Sequence, residues 1–315
     1  MPKKKRLLSI PKPAHPLKRK EALPWQKPKP ISEDPTIVNK LEAILANSCH
    51  VPAIEDIDFL KGPNARGIRL QLDYLKAQVL FNKYGIQHTI VVFGSTRIVE
   101  PISAQNKIDI LIRKLKNKPQ DKRLIKKLAI AKRIHVNSQY YQVAREFAGI
   151  IGMSGNGPND SRLVVMTGGG PGIMEAANRG ASEVQAKTIG LNITLPNEQF
   201  PNPYVTPELC VQFHYFALRK LHFVLRARAL VAFPGGYGTL DEVFETLTLI
   251  QTRKIAPMPV VLVGQSFWKK ALNIDFLVDE GVIDAEDQDL FWYAETAEDI
   301  WLSINKWYAD KGEIL

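Results

Sequence analysis

The residues best placed to do chemistry are glycine-rich turns followed by charged side chains. Pro234-Gly235-Gly236-Tyr237-Gly238-Thr239 leads into Asp241 and Glu242, and Gly168-Gly169-Gly170-Pro171-Gly172 leads into Glu175. A shorter turn stands at Gly94-Ser95-Thr96-Arg97. Where such a turn opens a helix, its backbone N–H groups attract anions. A single turn reports little beyond the tight bends that glycine permits. Several on one sheet edge point to a phosphorylated ligand. A carboxylate such as Glu242, beside a bound sugar phosphate, can stabilise positive charge developing on the ring. The spacing Thr239 to Glu242 fits a capping box equally well, with Thr239 capping a helix. Both readings stand on spacing alone. Arg219 and Lys220 are adjacent, so a helix turns them about 100° apart. They cannot address one ligand in the same way.

Other chemistries lack their patterns. Read from Gly168, the dinucleotide pattern G-x-G-x-x-G meets Ile173 at its last glycine, and the Walker pattern is absent. No Ser/His/Asp or Cys/His triad is defensible, and no histidines have metal spacing. Cys49 and Cys210 are the only cysteines, too few for a disulfide framework or a structural zinc site. The expectation is no metal and no cofactor.

The elements that must carry these turns follow from apolar patterning. Strands are expected at His88–Phe93, Arg162–Met166, Lys187–Ile193, Leu209–Phe213, Ala229–Phe233 and Pro259–Val263, with a short one near Leu290–Tyr293. Helical patterns at 138–150, 172–184, 215–227, 240–251, 266–278 and 297–308 separate most of them. Short apolar strands alternating with helices give an α/β fold, a doubly wound and mostly parallel sheet with helices on both faces. Glycine-rich turns at the carboxyl ends of the strands mark the ligand edge of such a sheet.

The formal charge of +10 over 315 residues is unevenly placed. Residues 1–30 carry net +9 and seven of the 21 prolines, residues 101–140 carry net +9, and the remainder carries −8. Residues 1–34 read as a disordered basic Pro/Lys-rich tail. Pro2-Lys3-Lys4-Lys5-Arg6 looks like a nuclear import signal but reads more simply as a solvated basic arm. Residues 35–86 read as a helical lead-in packing on the main domain. That domain is expected over 87–315, with a basic helical insertion at 101–137 broken near Pro119. No apolar segment follows the basic start, and no run of about 18 apolar residues exists. A cytoplasmic protein with no membrane partner is expected. Nucleic acid is a partner only through the tail and is not favoured, since no interleaved aromatics support a single-strand platform.

Taken together, Gly168–Gly172, the Arg219-Lys220 pair and Pro234-Gly235-Gly236-Tyr237-Gly238-Thr239-Leu240-Asp241-Glu242 resemble the LOG family of cytokinin riboside 5′-monophosphate phosphoribohydrolases. The likeness covers about residues 88–308, and the insertion and lead-in are similar to its longer bacterial members. The resemblance implies a Rossmann-like nucleotide-binding domain. It implies hydrolysis of the N-glycosidic bond of a nucleoside 5′-monophosphate, AMP or a cytokinin-type adenylate, to free base and ribose 5-phosphate. Catalytic roles fall on Arg219 and Glu242. Phosphate and nucleotide contacts fall on Gly94, Ser95, Gly168, Gly169, Gly170, Gly172, Glu175, Lys220, Gly235, Gly236, Gly238 and Thr239. A homodimer or larger homo-oligomer is implied, and the aromatic helix at Phe213, Tyr215, Phe216 and Phe223 is a candidate interface as well as a candidate core. Some members carry a lysine decarboxylase label, but no pyridoxal chemistry is legible here. The alternative on the same fold is a carrier or sensor that holds a nucleotide or phosphorylated cofactor without cleaving it.

Overall fold

The computed structural model describes residues 21–196 and 200–315. The arm at Pro2–Arg6 lies outside the described residues, as does most of the expected 1–34 tail. The chain divides into two units, Met1–Arg66 and Gly67–Leu315. The first holds α1 (Ile37–Leu45) and α2 (Ile57–Lys61), the latter capped by Asp56, whose side chain accepts from the Phe59 N–H. The helix α3 (Arg66–Lys83) is grouped by sequence with the lead-in, but it stands at the head of the second unit and buries Ala77 and Phe81.

The second unit is built on seven parallel strands: β1 (His88–Phe93), β2 (Leu163–Thr167), β3 (Thr188–Ile193), β4 (Cys210–Phe213), β5 (Ala227–Ala232), β6 (Val260–Val263) and β7 (Trp292–Ala294). Their order is β4-β3-β2-β1-β5-β6-β7. Each is a short, mainly apolar run because both faces are covered. In β1, Ile90 and Val92 join one core and Val91 and Phe93 the other, as the two-residue period of a strand requires. One face is covered by α6 (Gln139–Met153), α7 (Ile173–Glu183) and α12 (Ala297–Ala309), which supply Tyr141, Phe147, Ile173 and Ile300. The other is covered by α3, α8 (Phe216–Leu225), α9 (Tyr237–Gln251) and α10 (Gln265–Ala271), which supply Phe81, Phe223, Val243 and Trp268.

The expected insertion is a helical hairpin. Its arms, α4 (Pro101–Asn117) and α5 (Lys122–Asn137), meet through Ile108, Leu111 and Ala131. Pro119 lies in the turn, and Asp121 caps α5 by accepting from the N–H groups of Arg123 and Leu124. The single helix expected at 266–278 is two, α10 and α11 (Ile274–Asp279), because the Asn273 side chain caps a new start by accepting from Phe276 N–H. Central β1 is followed along one side by β2 and lies against β5 on the other. The chain therefore leaves β1 and β5 in opposite directions across the sheet. A crevice opens at their carboxyl ends, where ligands bind in folds of this type.

Candidate active site

The turns after β1 and β5 are laced together by backbone. Phe233 N–H donates to Phe93 O at 2.9 Å, Ser95 N–H to Pro234 O at 3.0 Å and Ile173 N–H to Ser95 O at 3.2 Å. Above them lies a cleft of about 710 Å³. Gly94–Ile98 form one wall and Pro234–Thr239 another. Arg219, Asp241 and Glu242 supply charge, and Met174, Phe216 and Phe267 supply apolar surface. The remaining side is closed by Ile130, Ile134 and Asn137 of α5. The basic insertion thus has one edge in the cleft and is not merely a solvated appendage.

The capping box does not form. The helix α9 begins at Tyr237 with Gly236 at its N-cap and no side chain capping it. Thr239 is therefore the third helical residue, and Glu242 sits a turn further in, where a box would need Thr239 at the cap. The leading N–H groups of α9 are left for a ligand to satisfy. Gly235 is needed locally, because a Cβ there would run into the Thr239 side chain. At Gly236 and Gly238 a Cβ would meet nothing within 4 Å. Packing does not explain those two glycines, and their missing side chains leave the start of α9 open to the cleft.

Glu242 is only 6% exposed. Burial pushes its carboxyl up to about 7, against the pull of Lys220 and Arg219 and with the help of Glu245 and Asp241. Arg219 does not overcome burial, so Glu242 is poised between charge states near neutrality. Arg219 is held by its own bonds: Nε–H donates to Leu191 O at 2.7 Å and Nη2 to Gly168 O at 3.4 Å. Its guanidinium lies 5.1 Å from the Phe223 ring centroid and 5.9 Å from that of Phe216. Burial lowers its pKa and the charge of Glu242 raises it. Lys220 turns away, as the helical pitch requires, and its Nζ pairs with Asp241 and Glu245, each at 3.0 Å. Phe213 and Phe223 of the aromatic segment are core residues, whereas Phe216 is half-exposed in the cleft.

The Gly168–Gly172 turn stands behind the cleft. Gly172 has φ 75°, and a Cβ there would strike the backbone of Ser95 and Thr96. A buried amide network holds this turn. Thr167 Oγ1 donates to Asn178 Oδ1 at 2.7 Å and accepts from Gly169 N–H at 2.9 Å. Asn202 Nδ2 reaches Gly170 O at 3.0 Å and Asn178 Oδ1 at 2.9 Å. Glu175 accepts from the Tyr141 hydroxyl at 2.9 Å. The cleft lining therefore gathers Gly94, Ser95, Arg219, Gly235, Gly236, Gly238, Thr239 and Glu242. Gly168, Gly169, Gly170, Gly172, Glu175 and Lys220 are outside it; Gly168 lies against Arg219 and Met174, and Gly172 against the β1 turn. Sequence reasoning missed Arg97, Met174, Phe216, Phe267 and the three α5 residues. Arg97 was read only as the end of the Gly94-Ser95-Thr96-Arg97 turn and Phe216 only as a candidate interface or core residue, neither as part of the site. Ile130, Ile134 and Asn137 carry only an ordinary amphipathic pattern. Among the described residues, no group of His, Cys, Asp and Glu is arranged to hold a metal ion.

Residues 174–304 match the family model described as "Possible lysine decarboxylase". Among curated proteins, the chain is 28% identical over 148 residues to "Probable cytokinin riboside 5'-monophosphate phosphoribohydrolase LOGL5" of Oryza sativa subsp. japonica. That match covers 46% of this chain and 58% of the relative. It is 35% identical over 91 residues to cytokinin riboside 5'-monophosphate phosphoribohydrolase LOG of the same plant, covering 28% and 37%. With LOG3 of Arabidopsis thaliana it shares 34% over 84 residues, covering 26% and 39%. The chain thus spans from about a third to somewhat over half the length of these relatives. Of solved structures, the molybdenum cofactor carrier protein of Chlamydomonas reinhardtii is similar at 24% identity and TM-score 0.39, covering 54% of this chain and 89% of that one. The structure of TM1055 is similar at 19% identity and TM-score 0.42, covering 70% and 99%. Over residues 174–304 the chain is thus similar to the family described as possible lysine decarboxylase, and over partly shared stretches it is similar to LOG-type cytokinin riboside 5'-monophosphate phosphoribohydrolases.

Proposed function

We propose that the protein hydrolyses the N-glycosidic bond of a nucleoside 5′-monophosphate, with AMP or a cytokinin-type adenylate as substrate. The observation that carries this reading is a buried carboxyl, Glu242, one turn inside a helix whose uncapped, glycine-lined start faces the same cleft. The 5′-phosphate takes the N–H groups at Gly236–Thr239 and the Thr239 hydroxyl, which fixes the ribose over Glu242 and Arg219. This remote binding positions the reacting carbon. As the C1′–N bond breaks, its electron pair leaves with the base and the sugar gains oxocarbenium character. The Glu242 carboxylate stabilises that charge and orients a water molecule. Water adds at C1′, the base takes up a proton, and ribose 5-phosphate and free base result. Arg219, anchored on Leu191 O and Gly168 O, sets the position of Glu242 and the ligand.

The test is release of ribose 5-phosphate and base from a panel of nucleoside monophosphates, with wild type beside Glu242→Gln. Loss of roughly 10²–10³ in rate is expected in the variant. Because the carboxylate is the working form, kcat/KM should rise as pH passes about 7. Absence of release from every nucleotide, with binding intact by calorimetry, would replace the hydrolase with a nucleotide carrier.

A further inference from the structure

At the other end of the sheet, where the strands begin, a polar cavity of about 360 Å³ lies between α3, β1 and β5. Gln78, Gln87, His88, Arg226 and Arg228 line it, and among the described residues no carboxylate does. Arg226 and Arg228 flank Ala227, which is in register with Thr89, so His88 of β1 stands beside both. Arg226 is fixed by neutral acceptors only: Nη1 donates to Ile86 O, and Nη2 to Gln78 Oε1 and Asn82 Oδ1, each at 2.7 Å. Arg228 lies 4.7 Å from the Tyr308 ring centroid and meets Glu313 at 3.4 Å. The Nε atoms of both arginines are buried without a partner. Two guanidiniums thus share a single carboxylate. His88 registers the imbalance: burial first, then Arg228 and Arg226, hold its pKa below the ordinary value. Like charges this close call for a counter-charge.

We propose that this cavity binds a phosphate group, either inorganic phosphate or the phosphate of a small sugar monoester. The two guanidinium charges, the N–H groups that the bonds above leave free and the side-chain amides suit a tetrahedral oxyanion, and the volume admits the group with a small sugar attached. The site lies at the opposite end of the strands from the cleft and does not depend on the reaction proposed there. Phosphate bound among the two arginines offsets their charge and raises the His88 pKa. The experiment is an NMR titration of the His88 imidazole in the full chain, assigned with His88→Asn, against inorganic phosphate and against ribose 5-phosphate. A saturable upward shift of about one pH unit or more is expected, and the ligand that saturates first identifies the source. Arg228→Gln should lose most of the shift. If circular dichroism finds that variant unfolded, Gln87→Leu takes its place and should weaken saturation severalfold. No saturable shift with either ligand, or a shift that the folded variant leaves unchanged, overturns the proposal.

Discussion

Burying Glu242 raises its pKa from 4.5 to about 7, and the same proton couples to folding. Below about pH 4.5 the group is neutral whether the chain is folded or not, and its burial carries no ionic penalty. Between there and about 7, unfolding releases a proton, so stability falls as pH rises. Above about 7 the full penalty applies, about 3 kcal/mol for a shift of this size. Glu242→Gln is therefore expected to gain up to that amount at pH 8 and nothing near pH 4.5, as read by urea unfolding at the two pH values. A less stable variant at pH 8 would contradict the burial argument. Lys220 acts on the same proton from outside the cleft. Lys220→Met removes its pull and leaves Asp241 and Glu245 as unopposed neighbours, so the rising limb of the kcat/KM profile should move to higher pH. A limb that stays in place would mean that Lys220 does not reach Glu242. Neither effect was legible from residue order, which left Glu242 suspended between a cap and a charge. Only the start of α9 at Tyr237 decides against the cap.

Among the elements, the glycines of α9 and of the β2 turn do opposite jobs. Gly238→Ala places a methyl in open space within a helix, so stability should hold or rise by about 0.5–1 kcal/mol while affinity for AMP falls. Gly172→Ala forces φ 75° on a residue with a Cβ and drives that atom into Ser95 and Thr96, so it should lose more than about 1 kcal/mol. Thermal melts with AMP titrations separate the two, and equal behaviour would contradict the division. The strands were easy to read because each is a brief apolar run ended by glycine, proline or a polar turn. The start of α9 was harder, since Gly236 and Gly238 oppose helix by propensity and the loop geometry overrides them. The break between α10 and α11 hinged on one capping side chain, Asn273. The α5 wall was illegible for another reason. Its helix was foreseen, but what it faces depends on how the hairpin folds back, which Ile130, Ile134 and Asn137 do not encode locally.

For the whole molecule, the strand order makes the cleft a product of segments distant in sequence. Gly94 and Ser95 follow β1, while Arg219 and Glu242 lie on either side of β5. A chain stopped at residue 226 lacks the second neighbour of β1. It should show no cooperative urea transition and should scatter light at micromolar concentration, whereas the full chain should unfold cooperatively. Cooperative unfolding of the shortened chain would mean that β5 is dispensable to the core.

The pairing of Thr89 with Ala227, 138 residues further on, also sets a timetable for the ribosome. At roughly 5–20 residues per second, β1 emerges on the order of ten seconds before the strand that covers one of its edges. Throughout that interval Ile90-Val91-Val92-Phe93 offers unpaired backbone beside apolar side chains, the kind of edge that recruits neighbouring chains. Slow decoding between β1 and β5 lengthens the interval and a holdase chaperone shields it, so the yield of active protein in a cell depends on translation speed as well as on the stability of the finished fold.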